Sequence, residues 1–423
     1  MIAITTSRCA LLAACVALVT ACTSPTEGGG RSQPVITALP RALSADELVA
    51  ATATTQFGLS LFREVNAGTA RGQNLTLSPI SASLALGMLM NGAEGETLDQ
   101  VRATLGFGTR SVAAINAAYG ALVPLLTTID PSVTMQFANA TWFDTRHPPS
   151  SSFTQAITAA FGAKSLAVSF QSPSTLTTIN GWVSTSTRGR ITSIVDALDP
   201  NTIAMLINAT YFKGSWRAKF DERDTRPGQF FVTPSAPLTV PMMQTEEGLG
   251  RTGALADGTV IAELPYGGDA FVMDLVMPPT GRLESMLDSL TPSRWNVMLA
   301  ALGSQALPIP IRMPKFRMEV ERELSPALTA LGMPRSFMNA QLGPMFATPP
   351  DGAVRVSSVL QKVFVDVNEE GTEAAAVTAV TVVATSLGPP RMLVIDRPFL
   401  FVIRERLTGA ILFLGKVVRP VAG

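Results

Sequence analysis

The chain has 423 residues and carries 32 basic and 32 acidic side chains, so its formal net charge is zero. Only 15% of residues are charged and 47% are apolar, which marks a globular chain with a large core rather than a disordered one. The charge balance excludes nucleic acid as the main partner, because phosphate binding takes clustered Lys and Arg. There is one histidine, His147, beside Pro148 and Pro149. A Ser-His-Asp triad could use only that residue, and a two-histidine metal site is excluded. The three cysteines are Cys9, Cys15 and Cys22. Beyond residue 22 there is no thiol for zinc, for a disulfide or for catalysis. No metal and no cofactor is expected.

In chain order, residues 1–21 read as an export signal. Arg8 supplies the positive start, and Cys9 to Ala21 is an apolar stretch too short to span as a helix. Val19-Thr20-Ala21-Cys22 resembles the lipobox of bacterial lipoproteins, which implies cleavage before Cys22 and lipidation of its thiol. That resemblance predicts an exported protein held on a membrane, on the periplasmic or cell-surface side, or released outside the cell. Residues 22–41, with Gly28-Gly29-Gly30 and Pro25, Pro34 and Pro40, read as a flexible tether.

Residues 42–423 show no linker and read as one domain. Ser44-Ala45-Asp46-Glu47 is a capping box that opens a helix carrying Leu48, Phe57, Leu61 and Val65. Ser78-Pro79 opens a second helix, with Ser as cap and Pro in the first turn. Thr97 to Leu105 is a third, stopped by Gly106. Ile203–Phe212, Val260–Leu264, Phe271–Met277, Val356–Val367, Leu393–Ile403 and Ala410–Val418 are β-rich segments bounded by Gly or Pro. Helices first and strands later, without regular alternation, indicates an α+β fold.

Several patterns carry no chemistry. Gly248-Leu249-Gly250-Arg251-Thr252-Gly253 matches a dinucleotide fingerprint, but Gly258 follows too soon for the helix such a site needs. Asp221, Glu222 and Asp224 interleave with Arg217, Lys219, Arg223 and Arg226, which reads as a solvated ion-pair face. His147 reads as a surface-loop residue.

The segment from Asn368 to Ser386 behaves like neither core nor ordinary loop. From Thr372 onward, alternate residues Thr372, Ala374, Ala376, Thr378, Val380, Val382 and Ala384 are small or apolar. The other face, with Glu373, Ala375 and Val377, carries the only charge. This is a strand with one buried face. Joined to the strand before it, however, it far exceeds the roughly three to ten residues usual for a strand. Two readings remain: a hairpin turning near Gly371, or a segment that is a loop in one state and a strand in another.

Together with other stretches, this segment resembles the hinge and reactive-centre loop of the serpins, the serine protease inhibitors. Asn74 to Leu86, the Ile179-Asn180-Gly181-Trp182-Val183 run and Asn208 to Trp216 are similar to serpin motifs. Val240 to Met243, Leu264-Pro265-Tyr266, Met313 to Phe316 and Arg397-Pro398-Phe399 follow in family order. The resemblance covers roughly residues 42–420. It implies three β-sheets, about nine helices and an exposed reactive-centre loop over about residues 371–392.

The resemblance also implies roles. The hinge would be Glu369, Glu370, Gly371, Thr372, Glu373, Ala374, Ala375, Ala376, Val377 and Thr378. The sheet-opening region would hold Ser78, Ser81, Asn208, Lys315 and Trp216, with Gln361 where the family usually has a histidine. Glutamine both donates and accepts, so a hydrogen-bond network there is expected to survive. Glu369 is expected to pair with Lys315. Counting from Gly371 as the family does places the reactive bond at Thr385–Ser386, within a window of Val383, Ala384 and Leu387.

The implied activity is that of a monomeric suicide-substrate inhibitor of a serine protease, not an enzyme. The protease cleaves the loop, forms an acyl-enzyme and is trapped as the freed hinge inserts into the central sheet. Residues 374–377 are Ala-Ala-Ala-Val, so ordering their side chains costs little. No charge on the inward face opposes burial. The window holds no Lys or Arg, which points to an elastase-like or chymotrypsin-like target, with subtilisin-like and cysteine proteases as further options. The third helix shows only Arg102, so a heparin-like cofactor is not expected. The competing readings are a non-inhibitory serpin-fold binding protein and a lipid-anchored hydrolase.

Overall fold

The computed structural model describes residues 34–245, 250–303, 309–372 and 392–421. The helices are α1 (Ala45–Gly68), α2 (Pro79–Asn91), α3 (Gly95–Thr104), α4 (Val112–Thr128), α5 (Ser151–Phe161), α6 (Pro173–Ser186), α7 (Leu283–Asp288), α8 (Pro292–Ala301), α9 (Ser325–Ala330) and α10 (Pro334–Met338). The first strands are β1 (Leu75–Leu77), β2 (Val133–Asp144), β3 (Lys164–Val168), β4 (Ala204–Ser215), β5 (Arg226–Thr233), β6 (Ala236–Gln244), β7 (Arg251–Ala254) and β8 (Val260–Tyr266). The remainder are β9 (Phe271–Met277), β10 (Ile311–Pro314), β11 (Phe316–Glu323), β12 (Leu360–Asn368), β13 (Gly371–Thr372), β14 (Leu393–Val394), β15 (Phe399–Glu405) and β16 (Ile411–Val417). Among the described residues these strands form three sheets, ordered β11-β12-β13-β4-β2-β3, β1-β16-β15-β9-β8-β7 and β14-β10-β6-β5. With ten helices among the described residues, where about nine were expected, the fold is α+β.

Local chemistry explains the helix starts. Ser44 and Glu47 exchange both bonds of the capping box at the head of α1, worth about 1 kcal/mol. Ser78 caps α2 with Pro79 in the first turn. The third helix begins earlier than the expected Thr97, because Gln341 caps it from a distance: its Oε1 accepts from the Glu96 and Thr97 amides at 2.8 and 3.4 Å. One core cluster fills the space between the central sheet, the second sheet and helices α1, α2 and α4. A smaller one, with Ile179, Val183, Ile191 and Ile194, lies under α6 on the other face of the central sheet.

Three expected boundaries move. The strand expected from Val356 begins at Leu360, because Val356 N donates instead to Ser336 O. Leu393–Ile403 is two strands: β14 pairs in parallel with β10, then the chain turns at Asp396 to Pro398 before β15. Pro398 has no N–H to continue a ladder. The tether expected to reach residue 41 ends sooner: from Pro34 the chain belongs to the compact unit. Ile36 and Leu39 pack against the core, and Arg41 pairs with Glu47 at 2.5 Å. The fingerprint-like Gly250–Gly253 enters β7, which a turn joins to β8, and Gly248 lies outside the described residues.

Candidate functional site

The expected site lies where β12 turns back beside β4. After Asn368, Glu369 and Glu370 form a tight turn, and β13 returns antiparallel to β12, with Val367 opposite Thr372 and Asn368 opposite Gly371. On its other side β13 pairs with β4, with Gly371 opposite Ser215 and Thr372 opposite Gly214. Gly371 and Thr372, two residues of the expected hinge, are thus strand members between β12 and β4. Over these two residues the structure has the hairpin turning near Gly371; the segment from Glu373 on lies outside the described residues. Among the described residues no ladder joins β12 directly to β4. Glu373 to Thr378, and Val383 to Leu387 with the expected reactive bond Thr385–Ser386, lie outside the described residues, as does Cys22.

Gly371 is required by geometry. Its φ is +148°, and a Cβ there would stand 2.1 Å from the Gly214 carbonyl oxygen. A side chain would push β13 off β4. Thr372 is buried, and its hydroxyl shares a 2.6 Å hydrogen bond with the Tyr266 hydroxyl. Burial pushes the Tyr266 hydroxyl well above its ordinary pKa, so it stays protonated. Trp216 stacks on Tyr266 with ring centroids 4.4 Å apart, and its Nε1 donates to Asn368 O at 2.8 Å. Trp216 N donates to Glu370 O and Phe220 N to Glu369 O.

Charge closes the turn from outside. Lys315 Nζ is 2.8 Å from Glu369 Oε2, and the Thr225 hydroxyl donates to Glu369 Oε1 at 2.6 Å. Burial alone would push the Glu369 carboxyl up, but the bonds from Lys315 and Thr225, with a backbone amide bond and the Lys315 charge, together hold it below its ordinary value. Lys219 reaches Glu370 at 2.5 Å.

Further down the same sheet, Gln361 grips the cap of α2. Its Oε1 accepts from Ser78 N and its Nε2 donates to Ser78 O, both at 2.9 Å. Ser78 Oγ donates to Leu412 O at 2.8 Å, tying in β16. Beyond the cap, Ser81 Oγ bonds Asn208 Oδ1, and Asn208 Nδ2 bonds Asn139. Ser81 N donates to Ser78 Oγ at 3.4 Å, so the helix cap joins the two sets. Gln361→Leu leaves the buried Ser78 N–H unpaired and is expected to cost about 1–3 kcal/mol. A shorter half-time of thermal inactivation would register that loss.

Across the outer face of the sheet, the stretch after α6 passes over both strands. The Arg188 guanidinium lies 5.0 Å from the Tyr211 ring centroid on β4, and Arg190 lies 5.7 Å from that of Phe364 on β12.

The sequence reading missed Tyr266, Thr225, Lys219 and Asn139 as site residues. Tyr266 stood inside a family motif, whereas Lys219 was absorbed into an ion-pair face that Asp221 and Arg223 do form, at 2.6 Å. Local spacing carries no signal for Lys219–Glu370 or Thr225–Glu369.

Comparison with known proteins agrees with this architecture. Serpin-Z1C of Triticum aestivum is 32% identical over 383 residues, covering 86% of this chain and 95% of its own. Iripin-2 of Ixodes ricinus is 34% identical over 373 residues, covering 86% and 92%. Human thyroxine-binding globulin complexed with thyroxine superposes with a TM-score of 0.81 at 27% identity, covering 89% of this chain and 100% of that one. Residues 52–420 match the family described as Serpin (serine protease inhibitor), and the chain belongs to the serpin family.

Proposed function

We propose that this serpin is inhibitory and traps a serine endopeptidase of elastase-like or chymotrypsin-like preference. The protease serine Oγ attacks the carbonyl carbon of Thr385. The Thr385–Ser386 peptide bond breaks, the new amine of Ser386 takes a proton, and an ester joins protease and serpin. The freed segment then runs on from Thr372 between β12 and β4, carrying the protease with it. One observation carries this reading: Gly371 and Thr372 are already paired on both sides at the head of that slot. The small, uncharged inward residues that follow suit continuation, because each adds ladder bonds and buried area without a desolvated charge.

Incubation with elastase-like and chymotrypsin-like proteases should give a covalent complex that survives SDS, with the cut within Val383 to Leu387 by mass spectrometry. Cleavage by every protease tested without any complex would overturn the reading and favour a non-inhibitory binding protein, as the likeness to thyroxine-binding globulin suggests. Lipidation at Cys22 places the protein on a membrane by an acyl anchor. No helix among the described residues is long and apolar enough to cross one. Cys22→Ser should move the protein from the membrane fraction to the soluble one; an unmodified Cys22 in the wild type contradicts the anchor.

A further inference from the structure

The N-terminal stretch ahead of α1 docks on a turn that also supports the hinge. Ile36 N donates to Gly268 O at 2.7 Å, and Arg406 Nη2 donates to Ile36 O at 2.8 Å. Both backbone groups of Ile36 are thus held by the body of the protein. Gly268 has no side chain, and a Cβ there would stand 2.8 Å from Ile36 Cδ1, so the isoleucine packs directly on the turn.

This turn, Gly267 to Asp269, joins β8 to β9 and is tied on all sides. Arg406 Nε donates to Asp269 O at 2.9 Å. Gly268 N donates to Asp130 at 2.8 Å. Toward the hinge, Gly267 N donates to Ser215 O at 2.9 Å, and Arg217 Nη1 donates to Gly267 O at 3.1 Å. Ser215 is the residue of β4 that pairs with Gly371. Tyr266, immediately before the turn, bonds Thr372 and stacks on Trp216. A continuous set of bonds therefore leads from Ile36 through the turn to the end of β4 and to both seated hinge residues.

We propose that Pro34–Leu39 is a clasp: docked on the β8–β9 turn, it fixes the end of β4 and restrains the opening of the sheet at the hinge. Deeper insertion requires β4 and β12 to part. Releasing Ile36 frees the turn to move with Ser215, so the clasp biases the two-state step between a seated and a fully inserted hinge. It makes Ile36 and Arg406 positioning residues for insertion, although neither touches the hinge. The proposal rests on the insertion reading above, but its first test needs no protease.

That test is amide hydrogen exchange on the full chain, comparing wild type with Ile36→Pro, which removes the donor, and Ile36→Ala, which removes only packing. Val35→Ala, at an exposed neighbour, is the control. Expected is exchange about five- to tenfold faster in Ile36→Pro at Gly214 to Trp216 and at Gly371 and Thr372, the effect of one lost hydrogen bond. Ile36→Ala should give a smaller rise and Val35→Ala none. Faster exchange at Gly268 alone, with the hinge amides unchanged, overturns the coupling. No change at Gly268 overturns the clasp itself. In a second arm, Ile36→Pro should lose inhibitory activity faster on warming, by a similar factor. A wild type that never forms a covalent complex removes the inhibitory reading but leaves the exchange result standing.

Discussion

Thr372→Arg is expected to turn the trap into a substrate. Thr372 is 2% exposed, paired with Val367 on one side and Gly214 on the other, and hydrogen-bonded to Tyr266. Entering the space beside the Trp216–Tyr266 stack would cost a guanidinium several kcal/mol, so the substitution unseats the hinge, and seating it becomes part of the insertion step. On the proposed mechanism, inhibition is a race between insertion and hydrolysis of the acyl-enzyme. Each ~1.4 kcal/mol added to the insertion barrier slows insertion about tenfold, so a penalty of about 3 kcal/mol gives hydrolysis a hundredfold advantage. The loop would still be cut at or near Thr385–Ser386, and the protease would leave active. The measurement is the number of inhibitor molecules consumed per protease inhibited. Ala376→Arg, in the same register, should behave alike, and Ala375→Arg much more mildly. Equal effects at 375 and 376 would contradict the period-two register.

Glu369→Lys is expected to open the hinge end of the sheet. Glu369 is 3% exposed and holds Lys315 and Thr225 from one carboxylate. The substitution sets two ammonium groups against each other across a partly buried gap, a repulsion of about 4 kcal/mol at protein-like dielectric. Polymers or a spontaneously inserted monomer should appear on native gels and in size-exclusion chromatography, with inhibition lost. Adding Lys315→Glu restores opposite charges and should recover much of the monomer. A single variant that stays monomeric and fully inhibitory would show that the pair does not close the sheet. Acid should act in the same direction. The folded pKa of Glu369 lies below its ordinary value of 4.5. The stabilisation from its pairing is therefore complete above about pH 4.5 and is lost as pH falls through the lower folded value.

The hinge shows which parts of the site were readable in advance. Alternation of small residues put Thr372 on the inward face, and the structure buries it. That assignment needed only the two-residue repeat of a strand, which any neighbouring pair of residues obeys. Tyr266 is its partner from 106 residues away, and Lys219 meets Glu370 across 151 residues. Such pairs depend on how β4, β8 and β12 are laid side by side.

Gln361 marks the same limit. Its donor and acceptor groups were legible, and so was the survival of bonding there, but its grip on both backbone groups of Ser78 and the reach of the network to Asn139 were not. One amide is satisfied by the two backbone groups of Ser78, which leaves Asn208 to Ser81 and Asn139. The sequence by itself determined what neighbouring residues decide: the capping box at Ser44, the start of α2 at Ser78-Pro79, strand β9 and the inward register at Thr372. Tertiary structure alone decided the rest: the early start of α3 under Gln341, the docking of Ile36 on Gly268, and the pairing of Lys219 with Glu370. Capping and alternation act over a few residues of one backbone. The other contacts join segments far apart in the chain, and their geometry exists only once the sheets have assembled.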